Sequence, residues 1–327
     1  MHKLSLSNDF MEGSNNVYLF DGERTVLVDT GFDSPKVRED LERKLGEHGI
    51  GFCDVDDIVL THYHIDHCTL AATVQRAGGA TVHAHPTEIP LVEGDQDAWS
   101  EVLDTRHRMY DLWGIPEPKW TELKETMIDE SASYDQDITL CPIEAGDELD
   151  IGETTLETMF TPGHTAGHLA FVLQGRDEVI SGDALLPHYT PNVGGADVRV
   201  EHPLEKYLAT LAQFRDGSFR RAWPGHRDPI DDPADRARTI VEHHEERAWR
   251  IASSLRDRET ATPWEVSSDL FGDLENVHIL HGPGEVYAHL DHLSREGAVE
   301  RVEDGFRLTG DGADRLDSLS DETWPLA

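Results

Sequence analysis

The first eighty residues alternate between short apolar runs and amphipathic stretches. Hydrophobic and polar positions alternate at 17–20 and 25–29, with an Asp-Gly turn between them, which predicts a β-hairpin. An apolar period of a helix at 34–48 is followed by a short buried strand at 58–60 and a second helix at 69–77. Strands and helices that alternate this quickly predict a layered α/β architecture.

Residues 88–137 interrupt this alternation. They contain Trp99, Trp113 and Trp120 and a helical pattern at 98–112. Two interpretations stay open: a helical insertion that packs its tryptophans onto the body of the protein, or a lid that walls a binding site. Beyond the insertion, the pattern predicts strands at 154–160, 169–173, 178–180 and 221–223, and a helix at 204–214.

The pattern changes near Pro233, which indicates a second, smaller domain. Residues 234–258 predict one long helix, and a capping box with proline at 262–265 begins another. A third predicted helix at 286–296 precedes a hairpin at 299–308. Three helices and a hairpin resemble a winged helix, a small α+β domain. We therefore expect domains at 1–232 and 233–327, with 88–137 inserted in the first.

The composition gives the chain a strong negative charge. Its 327 residues include 65 Asp and Glu against 28 Lys and Arg, a formal net charge of −37, and Lys is scarce beside Arg. One interpretation is an acidic face for a cationic partner. Because the acids are spread along the chain, we favour adaptation of the whole surface to molar salt, as in halophiles.

The same composition argues against a membrane or secreted protein. The longest uninterrupted apolar run, at 169–173, is far shorter than a membrane span. Residues 1–9 lack the apolar stretch of a secretory signal, and Cys53, Cys68 and Cys141 are too few for a disulfide framework. We therefore expect a cytoplasmic protein without a membrane partner, and Cys68 as a small buried residue.

A histidine cluster directly after the buried strand at 58–60 carries the strongest chemical signal. In an extended chain, alternate side chains point the same way, so His62 and His64 can converge on one metal. Asp66 and His67 follow where the chain turns into a helix, and they can face a second metal. Imidazole and carboxylate ligands suit zinc, and also iron or manganese. The alternative, a solvated histidine-rich loop, fits this density of ligands poorly.

Three further stretches place the same residue types just beyond predicted strands. His164 lies in a Gly/Pro turn, Asp183 follows the strand at 178–180, and His226 follows the strand at 221–223. Ligand sites of open α/β sheets gather at strand ends, so these side chains are expected near the histidine cluster.

These four segments resemble the motifs of the metallo-β-lactamase superfamily, over residues 15–230. The resemblance implies an αββα sandwich with a dinuclear metal site. It implies that His62, His64 and His164 hold the first metal and that Asp66, His67 and His226 hold the second, with Asp183 bridging both. It also implies that Asp29 supports the ligands from behind. Residues 235–327 resemble the winged-helix extension of one branch, which includes an RNA-cleaving mitochondrial enzyme.

Other polar residues have weaker signals. His188 and Tyr189 follow the bridging Asp183, in a loop that lies beside the metals in the superfamily, so we expect them to bind substrate; an amphipathic aromatic covering the rim is the alternative for Tyr189. His243 and His244 lie on the long helix predicted at 234–258, where we expect them to be solvated.

The resemblance implies a zinc-dependent hydrolase with two Zn²⁺, or with iron or manganese, in which Asp66 and Asp183 take part in catalysis. We expect a small-molecule substrate, an ester, thioester or lactone. A metal-dependent endoribonuclease for single-stranded RNA is one alternative, but residues 235–327 hold ten Arg, no Lys and 21 acids, a charge that repels phosphates. A non-catalytic, metal-stabilised binding protein is the other. The tryptophans and the winged helix weakly favour a homodimer.

Overall fold

Two β-sheets form the centre of the protein, whose computed structural model describes residues 1–7, 14–126, 131–134, 137–152 and 154–326. The first sheet contains six strands, in chain order across the sheet: β1 (His2–Leu6), β2 (Asn15–Asp21), β3 (Thr25–Val28), β4 (Asp57–Val59), β5 (Thr81–Ala84) and β6 (Leu140–Pro142). Strands β1 to β3 pair antiparallel, and β3 to β6 pair parallel. The predicted hairpin is the β2–β3 pair.

The second sheet holds five strands in the order β11-β10-β9-β8-β7. Their bounds are β7 (Glu148–Asp150), β8 (Thr155–Phe160), β9 (Leu169–Leu173), β10 (Glu178–Gly182) and β11 (Arg221–Pro224). All pairs are antiparallel except β10 with β11. The four strands that the apolar pattern predicts in this half are present, and β7 is an additional short edge strand.

Helices cover the first sheet where the sequence predicts them. They are α1 (Pro35–Gly46), α2 (Ile65–Cys68) and α3 (Ala71–Gly78). Helix α1 begins with Pro35 in its first turn, and the Ser34 hydroxyl oxygen accepts a hydrogen bond from the Val37 amide at 3.3 Å. Such a cap satisfies an amide that would otherwise lack a partner, which explains why the helix starts here.

The insertion consists of short and long helices: α4 (Ile89–Val92), α5 (Gln96–Trp113) and α6 (Glu117–Thr126). Its tryptophans are packed inside the chain. Trp99 lies in the core beneath the first sheet, whereas Trp113 and Trp120 join an apolar cluster with Ile279 and Leu280 from the C-terminal region. The structure therefore favours the packing interpretation for the tryptophans.

The C-terminal half contains α7 (Pro203–Asp216), α8 (Pro233–Leu255), α9 (Pro263–Phe271), α10 (His278–Arg295), the hairpin strands β12 (Val299–Val302) and β13 (Gly305–Leu308), and α11 (Gly310–Ser318). The sequence predicts that the third helix begins at residue 286, eight residues after its observed start at His278, because the Gly-Pro-Gly run at 282–284 is typical of a helix break. Pro283 instead lies inside α10. Helix α11 is absent from the sequence prediction.

The layers are held by three buried apolar clusters. Between the sheets, Tyr18 and Val28 of the first sheet share a cluster with Leu169 and Phe171 of the second. Outside the first sheet lie α1 and α3, and outside the second lie α7 and α8, so the protein is an α/β sandwich of two sheets between helices. One of these clusters continues from α7 into β12 and β13. The division at residue 232 stays a prediction.

The two adjacent histidines on α8 are less exposed than the sequence predicts, and His243 is half-buried. His244 is completely buried rather than solvated, because α8 lies between α7 and α10 and His244 occupies the same inward face as Ile240 and Ala248. Its Nδ1 lies 3.2 Å from Nε2 of His289 on α10.

Among the described residues, no helix is both long and apolar enough to cross a lipid bilayer.

Candidate metal centre

All seven predicted ligands lie beyond strand ends at one edge of the sandwich. Four of them follow β4 of the first sheet, two in the connecting loop and two in α2: His62, His64, Asp66 and His67. The other three follow β8, β10 and β11 of the second sheet: His164, Asp183 and His226. Each sheet therefore contributes to the centre, which lies on the seam between them.

Three histidines form the first group of converging donors. Nδ1 of His64 lies 3.0 Å from Nε2 of His62 and 3.0 Å from Nε2 of His164. Their ligand atoms lie within 4.8 Å of one another, as one metal ion requires. His62 and His164 are buried, whereas His64 is half-buried, so the group is most accessible to solvent at His64.

The second group joins Asp66, His67 and His226. Nε2 of His67 lies 3.3 Å from Nε2 of His226, and Oδ2 of Asp66 lies 3.6 Å from the latter atom. Asp183 stands between the groups: its Oδ2 is 3.3 Å from Nε2 of His226 and 4.0 Å from Nε2 of His164. The predicted bridging residue thus reaches donors of both groups.

In four of the predicted ligand histidines, Nδ1 points away from the other donors and makes a hydrogen bond. Nδ1 of His62 donates to the Thr61 hydroxyl at 2.9 Å, and that hydroxyl donates to Asp29. Nδ1 of His67 also donates to Asp29, at 2.9 Å. Hydrogen bonds of this kind fix the tautomer and the orientation of metal-binding histidines. Nδ1 of His164 donates to the Asn192 carbonyl at 3.0 Å, and Nδ1 of His226 donates to the Ser14 carbonyl at 3.2 Å.

Burial and mutual proximity perturb the protonation of the cluster. Burial, together with neighbouring His67 and His64, lowers the pKa of His62 well below its usual range. Burial alone would raise the pKa of Asp183, but His226 and His67 outweigh it and lower that pKa well below its usual range. Burial would lower the pKa of His67 and His226, but Asp183 outweighs it and raises both. The ionised Asp183 is therefore matched by two imidazoles that favour their protonated form, and a bound metal ion would take the place of those protons.

These groups fit a pair of metal ions. Because the outward nitrogens of His62 and His164 carry the protons, their Nε2 lone pairs face the same space, an arrangement that a cation turns from repulsive to favourable. Oδ1 of Asp183 is buried and has no hydrogen-bond partner among the described residues. Histidine with carboxylate suits zinc, iron or manganese, and the donor set does not distinguish them.

Two supporting residues lie outside the sequence prediction. Asn15 donates from Nδ2 to Oδ2 of Asp66 at 2.9 Å, although 51 positions separate them, so no local pattern could reveal the contact. His168 accepts a hydrogen bond from the Asp183 amide at 3.1 Å, and burial lowers its pKa to about 3. His168 lies four residues after His164 in the same motif, but the sequence alone gives it no role.

The predicted substrate residues follow Asp183 in the segment after β10. His188 is exposed, and Tyr189 is half-buried, with the guanidinium of Arg227 5.3 Å from its ring centre. A role for either in substrate binding stays a prediction. Cys68 is buried, as predicted, and its thiol donates to the Tyr63 carbonyl at 3.0 Å.

Comparison with known proteins agrees with this geometry. Residues 11–226 match the family model described as the metallo-beta-lactamase superfamily. The crystal structure of the metallo-beta-lactamase family protein TTHA1429 from Thermus thermophilus superposes with a TM-score of 0.82 and 30% identity, covering 94% of this chain and 98% of that one.

Curated relatives cover most of the chain at lower identity. The beta-lactamase-like protein 2 homolog of Caenorhabditis elegans is 26% identical over 89% of this chain and 81% of its own length. The probable metallo-hydrolase YqjP of Bacillus subtilis is 24% identical over 90% of this chain and 92% of its own length. The atrochrysone carboxyl ACP thioesterase of Aspergillus fumigatus is 22% identical over 76% of this chain and 61% of its own length. The motif match and the fold together establish that this chain belongs to the metallo-beta-lactamase superfamily.

Proposed function

We propose that the protein is a dinuclear metal-dependent hydrolase of a small ester, thioester or lactone, with zinc as its metal. One observation carries the proposal: two groups of buried histidine and aspartate donors, each able to hold a cation, lie side by side around Asp183. Neighbouring cations of this kind serve hydrolysis in many enzymes, whereas a single structural ion needs only one closed group.

The ligand roles follow from the two groups. His62, His64 and His164 would hold one ion, Asp66, His67 and His226 the other, and Asp183 would contact both. A bound pair of divalent cations supplies activation of water near neutral pH and stabilisation of the charge that develops on the substrate oxygen. Asp66 is oriented by Asn15 at 2.9 Å, and we assign it proton transfer in addition to ligation.

Two observations support a thioester or another ester as the substrate, rather than RNA. One relative is named an ACP thioesterase, and the related Bacillus protein is named a probable metallo-hydrolase. The C-terminal region from residue 235 carries 21 acids against ten Arg, which opposes a polyphosphate such as RNA.

The C-terminal region would serve as a wall rather than as a nucleic-acid reader. We infer that α8, α9, α10 and the β12–β13 hairpin form a winged-helix-like unit, supported by the backbone bridge of Ala261 to Phe306, which extends the hairpin by one strand position. Its α10 packs on the insertion through the Trp113 and Ile279 cluster. A homodimer stays a prediction, and sedimentation velocity in molar salt tests it.

A substrate panel tests the proposal. The purified protein, in about 2 M KCl with Zn²⁺, Mn²⁺ or Fe²⁺, is assayed with aryl esters, acyl thioesters, lactones and a labelled single-stranded RNA, while bound metal is counted by mass spectrometry. We expect about two ions per chain and turnover of an ester, thioester or lactone that a chelator abolishes. Cleavage of RNA alone would instead establish the endoribonuclease, and bound metal without any turnover would favour a binding protein.

A further inference from the structure

A buried carboxylate outside the metal centre joins the two loops that carry its histidines. Glu88, 1 % exposed, follows β5 and belongs to neither group of donors. Its Oε2 accepts a hydrogen bond from the Tyr63 amide at 3.0 Å, and its Oε1 accepts one from the Gly167 amide at 2.6 Å. One side chain therefore binds the backbone of both loops, with one oxygen for each.

The two amides belong to opposite halves of the sandwich. Tyr63 lies between His62 and His64 in the loop after β4, and Gly167 lies three residues beyond His164 in the loop after β8. A Cβ on Gly167 would lie 2.7 Å from Cγ of Glu88, so the glycine is what allows this approach. The Glu88 carboxylate therefore fixes the separation between the two loops that carry the first group of histidines.

A second carboxylate and an arginine complete the arrangement. Asp197 accepts a hydrogen bond from the Ala166 amide at 2.9 Å, in the same loop as His164. Arg199 donates to Asp197 at 2.7 and 2.9 Å and to Oε1 of Glu88 at 3.1 Å, and its guanidinium lies 4.7 Å from the centre of the Tyr63 ring. We call Glu88, Asp197 and Arg199 the loop clamp.

The loop clamp is a largely buried network of charges. Two buried carboxylates share one guanidinium, and burial raises the pKa of Glu88 although Arg199 opposes it. Burial would also raise the pKa of Asp197, but Arg199 outweighs it and lowers that pKa. Removal of one member of such a buried network leaves another charge unpaired, so the loop clamp fixes the relative positions of the segments that it joins.

We propose that Glu88 is a positioning residue that holds the loops of His62, His64 and His164 at the separation that the first metal ion needs. The inference rests on the proposed function, because it assigns a purpose to the loop clamp only if the histidines bind metal. Residues that orient metal ligands typically change metal affinity about 10- to 100-fold when they are replaced.

Glu88→Gln tests the role with almost no change in shape. An amide offers one oxygen and one NH₂, so whichever way it turns, its NH₂ faces either the Tyr63 or the Gly167 amide, donor against donor. The affinity of the purified variant for Zn²⁺ is measured by competition with a chromogenic chelator, beside the wild type. We expect the affinity of one of two sites to fall by about 10- to 100-fold.

Glu93→Gln is the matched control. Glu93 belongs to the same segment, and its Oε1 also accepts a backbone hydrogen bond, from the Leu140 amide at 3.2 Å, but that contact lies on β6, away from the histidine loops. We expect its zinc affinity to match the wild type. Equal losses in both variants would mean that any lost carboxylate contact has this effect, and would overturn the proposal.

Thermal unfolding with and without zinc separates positioning from structural support. A merely structural Glu88 would lower the melting temperature equally in zinc and in chelator, whereas a positioning Glu88 shrinks the rise that zinc produces, because ligand stabilisation follows affinity. If Glu88→Gln fails to fold, Arg199→Lys takes its place: it keeps the charge and loses the two-pronged contact, with about tenfold weaker zinc binding expected.

The result is separable from that of the proposed function. A wild-type chain that binds none of the three metals overturns the proposed function itself. A wild-type chain that binds two zinc ions while Glu88→Gln, or the Arg199→Lys substitute, binds them within about twofold as tightly overturns the positioning role alone.

Discussion

The Asp29 carboxylate accepts the Nδ1 proton of His67 at 2.9 Å, and the same Oδ2 accepts the Thr61 hydroxyl at 2.8 Å. Asp29 adopts φ = 61°, a left-handed conformation that Asn tolerates nearly as well as Asp. Asp29→Asn therefore preserves the backbone but removes an acceptor. We expect zinc affinity to fall about 10- to 100-fold, measured by chelator competition. Asp177→Asn, at another left-handed position in an exposed turn, is the control and should bind normally.

Replacing Asp183, whose carboxylate faces both donor groups, should reduce metal binding and turnover more than replacing Asp29. Asp183→Asn keeps the size of the side chain but loses the charge that faces both donor groups. We expect bound metal to fall from about two ions to about one, and turnover to fall by more than about a hundredfold. Metal analysis and initial rates measure this. Full metal content with undiminished turnover would show that Asp183 does not bridge.

Gly225 permits close packing between two predicted ligands. A Cβ at this position would overlap Oδ1 of Asp183 and lie 2.7 Å from Cε1 of His67. Gly225→Ala should therefore displace both side chains and lower metal content and turnover together, while circular dichroism shows a retained fold. Gly46→Ala is the control, because a Cβ placed there would have no atom within 4 Å, and the change at the end of α1 should be neutral or slightly stabilising. Normal metal content in Gly225→Ala would contradict the packing argument.

Acid should destabilise the protein partly through His289. Burial, with help from Arg247, lowers the pKa of His289 to about 3. His244 faces it at 3.2 Å, and a carboxylate oxygen of Glu285 lies within 4.8 Å of its ring nitrogen. Arg247, His243 and His292 are further ionisable groups that affect it. An unfolded histidine has a pKa of about 6.5, so between these values the unfolded chain binds more protons. The free energy of unfolding therefore falls as the pH drops below the pKa of the unfolded histidine, by up to about 1.4 kcal/mol per pH unit.

Urea unfolding of His289→Gln at about pH 7.5 and about pH 5 measures this contribution. The variant loses the histidine titration, so its stability should differ less between the two pH values than that of the wild type. His48→Gln, at an exposed histidine, should keep the wild-type difference. An unchanged difference in His289→Gln would assign the acid sensitivity to other groups.

Salt should stabilise the chain strongly. A formal charge of −37 repels itself at low ionic strength, and the screening length falls from about 10 Å at 0.1 M to about 3 Å at 1 M. We expect the melting temperature to rise between about 0.1 and 2 M KCl, well beyond the rise in an uncharged osmolyte of equal osmolality. A flat or falling response would contradict salt adaptation.

Local patterns were enough to predict most of the sandwich. The β2–β3 hairpin and α1 have apolar periods that record which face is buried, and β9 is a short apolar run that is almost wholly buried. The seven proposed ligands could be predicted to converge because strand ends of a sheet lie side by side. Pro283 shows the limit, since proline normally ends a helix yet lies inside α10.

Long-range polar contacts were beyond sequence reasoning. Glu88 and Arg199 meet across 111 positions, and Asn15 and Asp66 across 51. An isolated Glu or Asn is usually solvated, so neither has a local pattern that marks it as buried. The prediction for His244 was wrong for the same reason: its burial depends on α10, which begins more than thirty residues later along the chain.

The apolar cluster between α5 and α10 makes the insertion and the C-terminal region depend on each other. Trp113 from the insertion and Ile279 from the C-terminal region are both fully buried in it, and Gly114 lies against Thr262. Loss of either segment by deletion or recombination would leave the other with a bare aromatic surface, which invites aggregation. Selection should therefore retain or discard the two as one unit, so homologues that lack the C-terminal region should also have a shortened insertion.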